Sequence, residues 1–319
     1  KTNIPERIAA LREAMRQQKV DAYIIPSSDP HLSEYPADRW KSREWISGFT
    51  GSAGTIVVTA DKAGLWTDSR YFLQAASQLE GSGIELYKLA LPETPSITEF
   101  LLHELHAGQA VGLDGQTYSA AEASALANKL SRKEIKLDTS ADLIEGIWKD
   151  RPAVPGNPIF EMPEALSGAS VHEKLDLISE GADCLILAAL DEIAWTFNIR
   201  GTDVTYNPIV VSYAFVSKDE SVLFIKPEKL TAEITEHLKK EGVTLAEYSM
   251  IQRYLSRLPE NSRVFVDMNK TNVSLYDAIP GSCTIVEGIS PANHLKSIKN
   301  ETEIKGFQNA VVKDGVALT

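Results

Sequence analysis

Leu190-Asp-Glu-Ile-Ala-Trp-Thr-Phe-Asn-Ile-Arg-Gly-Thr-Asp-Val-Thr-Tyr-Asn-Pro208 decides the architecture. Ile193, Trp195, Phe197 and Ile199 give it an apolar bulk that predicts an amphipathic helical turn, ending at Arg200-Gly201, where glycine can take a backbone angle closed to other residues. An earlier segment has the same plan. Val20-Asp-Ala-Tyr-Ile-Ile-Pro26 runs to Asp29, and Ala182-Asp-Cys-Leu-Ile-Leu-Ala188 runs to Asp191. In both, an Asp opens an apolar strand and a second Asp stands eight residues on, at the predicted N-cap of the next element. The offset is 162 residues for both pairs (183 − 21 and 191 − 29). The chain reads as two copies of one domain.

Length agrees, since 319 residues correspond to about two domains, each able to bury a core. Apolar residues at 43% and charged residues at 24% are ordinary for a globular protein. No stretch of eighteen apolar residues occurs, so no helical membrane span is expected. A formal charge of −12 argues against a nucleic-acid surface, which needs clustered Lys and Arg to displace counterions. Cys184 and Cys283 lie in apolar, strand-like runs and read as reduced, buried thiols, which points to a reducing compartment and a cytoplasmic location. No basic, apolar leader is visible, and one removed before Lys1 would leave no trace.

Strand and helix patterns alternate in both halves. Helix Ile4 to Lys19 carries Ile8, Leu11 and Met15 on one face, strand Ala22 to Pro26 comes next, and Trp45, Ile46 and Phe49 are expected to be buried behind it. Thr55 to Thr59 and Ala63 to Thr67 read as a hairpin, Asp68 as the start of a helix through Gln78, and Leu143 to Trp148 as a last helix. Three prolines and a glycine within Arg151 to Pro158 mark an interdomain linker. In the second half, Ile209 to Ala214 is expected to pair with Ser221 to Ile225. Each domain should be α/β, a mixed sheet with an antiparallel hairpin portion and flanking helices. Boundaries fall at 1–155, 156–298 and 299–319. The third segment is a helix, Glu301 to Leu318, with Ile304, Phe307, Val311 and Leu318 on an expected buried face and no C-terminal stop signal; that predicts a polypeptide that continues.

The usual catalytic patterns do not form. Gly48-x-x-Gly51-x-x-Gly54 lacks the Lys-Ser/Thr of a phosphate loop and reads as a glycine-permitted turn. His103 and His106 are three apart, not the four of a zinc-protease helix. Asp29, His31 and Glu34 read as a capped turn before a weak metal site, and no serine occupies a Gly-x-Ser-x-Gly elbow. Asn272 and Asn300 head glycosylation tripeptides that are inert without secretion. Arg70, in Trp66-Thr-Asp-Ser-Arg-Tyr71, is the one candidate substrate contact, because its planar fork suits a peptide carboxylate or carbonyl. Its alternative is an ion pair with Asp68 or a Glu, worth little at a surface. Arg200 and Asp203, beside Asp191 and Glu192, read as an interdomain or dimer ion-pair network.

Several blocks carry a family resemblance. Ala22 to Tyr35, Ser47 to Thr55, Trp66 to Ala75, Ile147 to Pro152 and Ala189 to Asp203 resemble, in order, the three-domain Xaa-Pro aminopeptidases of the creatinase or "pita-bread" metallopeptidase family. The resemblance implies two tandem creatinase N-terminal-like domains, with the catalytic pita-bread domain and its two divalent metals, usually manganese, outside these residues. It also implies that Arg70 contacts a peptide with proline at its second position, that the domains restrict access and support a homodimer, and that no catalytic residue, metal ligand or cofactor lies in this fragment. A stand-alone peptide- or partner-binding module is the alternative.

Overall fold

The computed structural model describes residues 3–180 and 183–319; Lys1 and Ala182, the first residue of the second repeat segment, lie outside the described residues. Chain contacts divide into two compact units, one comprising Lys1–Val154 with Asn272–Ser274, the other Pro155–Thr271 with Leu275–Thr319.

The first unit has six strands: β1 (Ala22–Ile25), β2 (Thr55–Thr59), β3 (Ala63–Thr67), β4 (Glu85–Lys88), β5 (Ala110–Leu113) and β6 (Lys136–Asp138). Their order is β4-β3-β2-β1-β5-β6. β1–β2 and β2–β3 are antiparallel, whereas β3–β4, β1–β5 and β5–β6 are parallel. Central strand β1 is an unbroken apolar run because both its faces are covered. Tyr23 and Ile25 join a cluster with Ile8, Leu11, Met15 and Ile46, while Ala22 and Ile24 join one with Phe100, Leu101, Leu126 and Leu130. Helices Ile4–Gln18 and Ser42–Ser47 thus cover one face, and Ile97–Glu104 and Ala120–Ser131 the other.

The second unit repeats this plan. After the short β7 (Phe160–Glu161) come β8 (Cys184–Leu187), β9 (Ile199–Arg200), β10 (Tyr213–Ser217), β11 (Ser221–Phe224), β12 (Val243–Ala246), β13 (Arg263–Val266) and β14 (Thr284–Glu287). The sheet order β12-β11-β10-β8-β13-β14 reproduces the first, direction for direction, and β7 pairs separately with β9. The repeat read from the paired aspartates is therefore a repeat of topology.

Several local expectations need correcting. The helix at Leu190 ends at Thr196, and Asn198, not Gly201, takes the left-handed angle (φ +50°). Asn tolerates that region because its side chain bonds locally; here its amide donates to Ala169 O (2.9 Å) and its carbonyl accepts from Lys174 (2.6 Å). Gly201 instead keeps space, since a Cβ there would stand 3.1 Å from Val210. Neither second aspartate is a helix N-cap: Asp29 accepts from His31 N and Ser33 N in a turn, and Asp191 lies inside the helix that Ala189 caps. Leu143 to Trp148 is a turn, because Asp142 captures the amides of Ile144 and Glu145 and Gly146 interrupts so short a segment. The second hairpin starts late, at Tyr213, since Val211 N is spent on Asp203. Cys184 is buried, but Cys283 is only partly so. Helix Glu301–Leu318 forms as expected, yet Ile304, Phe307, Val311 and Leu318 are exposed among the described residues.

Candidate functional site

Strand β3 delivers its last residue, Thr67, into the sheet and releases Asp68 as the cap of a short turn, Ser69–Tyr71, that leads into helix Phe72–Gln78. The Asp68 carboxylate accepts the Arg70 backbone amide (3.1 Å) and grips the same residue's side chain twice, Nε at 2.9 Å and Nη2 at 2.9 Å. A cap and a fork–fork ion pair are thus built from one carboxylate. The Arg70 side chain remains 63% exposed, its guanidinium 5.1 Å from the centre of the Tyr71 ring. Each partner stabilises the other's charge: Asp68 titrates below the usual carboxylate range, and Arg70 is held more firmly protonated by the Asp68 hydrogen bonds. The ion-pair alternative for Arg70 is therefore present in the structure, on a side chain that still faces solvent.

Tyr71 anchors this surface inward. Its hydroxyl hydrogen-bonds Ser52, a contact that lowers the Tyr71 pKa, and its ring meets Phe49 edge-on at 5.8 Å. Ser52 belongs to the glycine-spaced loop 48–54. Gly48 (φ +73°) ends helix Ser42–Ser47, and a Cβ on Gly51 would fall 2.3 Å from the Phe49 ring, so only glycine closes the loop. The loop's carbonyls point to donors of the core. Arg43 Nη1 donates to Phe49 O (2.6 Å) and Nη2 to Gly51 O, while Thr67 Oγ1 donates to Ala53 O (2.6 Å) and Ser27 Oγ to Gly54 O. Arg43 also donates from Nε to Ser27 Oγ (3.0 Å) and has no carboxylate partner among the described residues; burial pushes its pKa down to about 10. Sequence reasoning missed Arg43, Ser27, Ser52 and Thr67. The available signal was a run of glycines whose backbone oxygens had to find donors nearby.

The other singled-out residues do not converge. Arg200 donates to Ala194 O (2.7 Å) and Ile199 O (3.0 Å), Asp203 pairs with Lys229, Glu192 with Lys270 (3.0 Å), and Asp191 with Lys296 (3.1 Å). All of these are contacts within the second unit. His103 is exposed beside Glu104, and His31 is buried edge-on to Trp40 at 6.4 Å. Among the described residues no group of three or more His, Cys, Asp or Glu could hold a metal ion. Nor, among them, is any helix long and apolar enough to cross a membrane. The arrangement of Asp68, Arg70, Tyr71 and Ser52 can bind and orient a polar ligand.

Comparison with known proteins gives the same description for both halves, "Creatinase/Prolidase N-terminal domain", at residues 7–147 and 150–303. A probable Xaa-Pro aminopeptidase P of Botryotinia fuckeliana is 39% identical over 99% of this chain and 50% of its own length; one from Coprinopsis cinerea is 37% identical over 98% and 53%. The chain spans about half the length of the curated relatives it matches. Among solved structures, X-prolyl aminopeptidase of Caenorhabditis elegans, described as a cytosolic enzyme with a di-nuclear active site, superposes with a TM-score of 0.92 at 28% identity, over 100% of this chain and 55% of that one. Two matched domains, one repeated topology and relatives of one kind agree: the chain belongs to the creatinase/prolidase N-terminal domain family and resembles the N-terminal half of the Xaa-Pro aminopeptidases P.

Proposed function

We propose that this chain is the non-catalytic N-terminal part of a metal-dependent Xaa-Pro aminopeptidase, which removes the residue preceding a proline from the N-terminus of a peptide. The observation that carries the reading is the coverage: relatives named for this activity match nearly the whole chain with only about half of themselves. In this reading the two domains, 1–155 and 156–298, restrict access to the active site, contact the peptide and support a homodimer. Residues 299–319 are the linker and first helix of the catalytic domain, a reading supported by the exposure of Ile304, Phe307, Val311 and Leu318. Arg70 is the peptide contact. The two metals, manganese by preference, belong to the remaining half of the parent, and the parent works in the cytoplasm, as the Caenorhabditis elegans relative does.

Manganese-dependent release of the first residue from Arg-Pro-Pro, compared between these 319 residues and a version extended through the C-terminal half, tests the reading. Activity in the extended protein alone is expected. Activity in the 319 residues would overturn the non-catalytic role, and silence in both would favour a stand-alone peptide- or partner-binding module.

A further inference from the structure

We propose that Asp68 fixes the charge class of ligand that Arg70 accepts, making Arg70 a donor to uncharged peptide carbonyls instead of a receptor for a free carboxylate. The inference deepens the peptide-contact reading of Arg70 and rests on it. A guanidinium offers five N–H donors in a rigid fork. Asp68 occupies Nε and one donor of Nη2, each at 2.9 Å, which leaves Nη1 and the second Nη2 hydrogen outside its grip on a side chain that is mostly exposed. Those remaining donors keep their geometry, because the Asp68 grip and the Tyr71 ring fix the plane of the fork.

What Asp68 removes is the net charge. The pair is neutral as a unit, and Glu34 adds a further negative field at Arg70. Of the other cations nearby, Arg43 is buried and donates to Phe49 O, Gly51 O and Ser27 Oγ, and Lys88, the register partner of Thr67, holds its Nζ over the Phe72 ring at 5.5 Å. An incoming carboxylate would therefore meet a guanidinium whose charge Asp68 already neutralises through two hydrogen bonds. A backbone carbonyl carries no charge to be repelled, and its partial charge suits the two remaining N–H donors. The site is built to hold the middle of a peptide, not its end.

The test uses the full-length parent and matched peptides of three to five residues beginning Arg-Pro, each as the free acid and as the C-terminal amide, at low ionic strength. For the unaltered protein, acid and amide should agree in kcat/KM to about twofold at every length. Asp68→Asn keeps a capping side chain while restoring the net charge of Arg70. One unit charge acting over about 4 Å in water is worth roughly fivefold, so the acid whose terminus reaches Arg70 should gain about fivefold over its amide. That gain should lie in KM, vanish in 0.5 M salt as exposed charges are screened, and be absent from Asp68→Asn combined with Arg70→Ala. Asp68→Ser, a second capping residue, should repeat it, with thermal melts confirming both folds. An acid preference of fivefold or more in the unaltered protein that Arg70→Ala abolishes, or no acid preference at any length in Asp68→Asn and Asp68→Ser, overturns the assignment of Asp68. Failure of the unaltered parent to cleave any Arg-Pro peptide would instead overturn the aminopeptidase reading, and this inference with it.

Discussion

Replacing Lys229 with methionine should cost the second domain about 3–5 kcal/mol, the range for breaking a buried ion pair by removing one partner. The Lys229 and Asp203 side chains are 0% and 1% exposed, and burial pushes the Lys229 pKa down against the pull of Asp203. Asp203 sends Oδ2 to both Lys229 and Val211 N (2.8 Å), while Oδ1 has no partner among the described residues. Methionine fills the lysine's volume, so the loss is electrostatic: a carboxylate left in the protein interior with one backbone amide. Asp203→Asn retains an acceptor for Val211 N but strands a buried ammonium, and should cost a similar amount at pH 7. That cost should shrink toward pH 10, because an unpaired buried lysine has a folded pKa below its unfolded value of about 10.4, so the unfolded chain holds the extra proton and rising pH favours the fold. The double variant carries neither stranded charge and should lose only about 1–3 kcal/mol, for an imperfectly bonded amide. Urea unfolding of the 319-residue chain, with hydrogen exchange monitored separately in peptides around β10 and β11, gives each value for this domain. Singles that cost under about 1 kcal/mol, or a double equal to the sum of the singles, would refute the reasoning.

Three further outcomes rest on the same physics. Arg43→Met should lower stability by about 3 kcal/mol or more, since Phe49 O and Gly51 O lose their donor together; a first-domain melt unchanged by the substitution would show that water replaces the guanidinium. Burial, then Asp142, raises the Asp114 pKa to about 7, so the folded state holds a proton that the unfolded chain releases near 3.8; the resulting stability is full below pH 3.8 and lost as pH rises through 7. Urea midpoints of Asp114→Asn should accordingly fall less between pH 4.5 and 7.5 than those of the unaltered chain. Tyr206 is fully exposed at φ +63°, where a non-glycine residue is strained by roughly 1–2 kcal/mol, so Tyr206→Asn should raise the melting temperature, and a drop would mean that the ring makes a contact that stabilises the chain.

The fold was legible because its signal is long-range and redundant. Two apolar strands opened by aspartates 162 residues apart (183 − 21) mark the central strands of two sheets with the same order. Helix Ile4–Gln18 was readable from Ile8, Leu11 and Met15, since burial of one face writes itself into the sequence every three or four residues. What failed was set by single side chains reaching the backbone. Asp142 turned an expected helix into a turn, Asn198 took the angle assigned to Gly201, and Asp203 delayed the second hairpin by capturing Val211 N. Each is a hydrogen bond whose partner cannot be guessed from spacing. The face of helix Glu301–Leu318 failed differently: periodicity reports that a face is apolar, not that this chain covers it. At the candidate site, Arg70 was singled out from its own block, whereas Arg43 was hidden because a buried arginine looks in sequence like any charge on a helix.

The repeated strand order also decides where each sheet is open to another molecule. Each of the two six-stranded sheets ends in two edge strands whose outer sides pair with no further strand of the sheet, a template for aggregation unless blunted. In the first domain both edges carry charge, Glu85 and Lys88 on β4 and Lys136 and Asp138 on β6, and in the second β14 ends in Glu287. β12, Val243-Thr-Leu-Ala246, has no charged residue along its length. Of the four edges it is the one without a charged residue to deter intermolecular strand pairing, so its four-residue length is what limits that pairing.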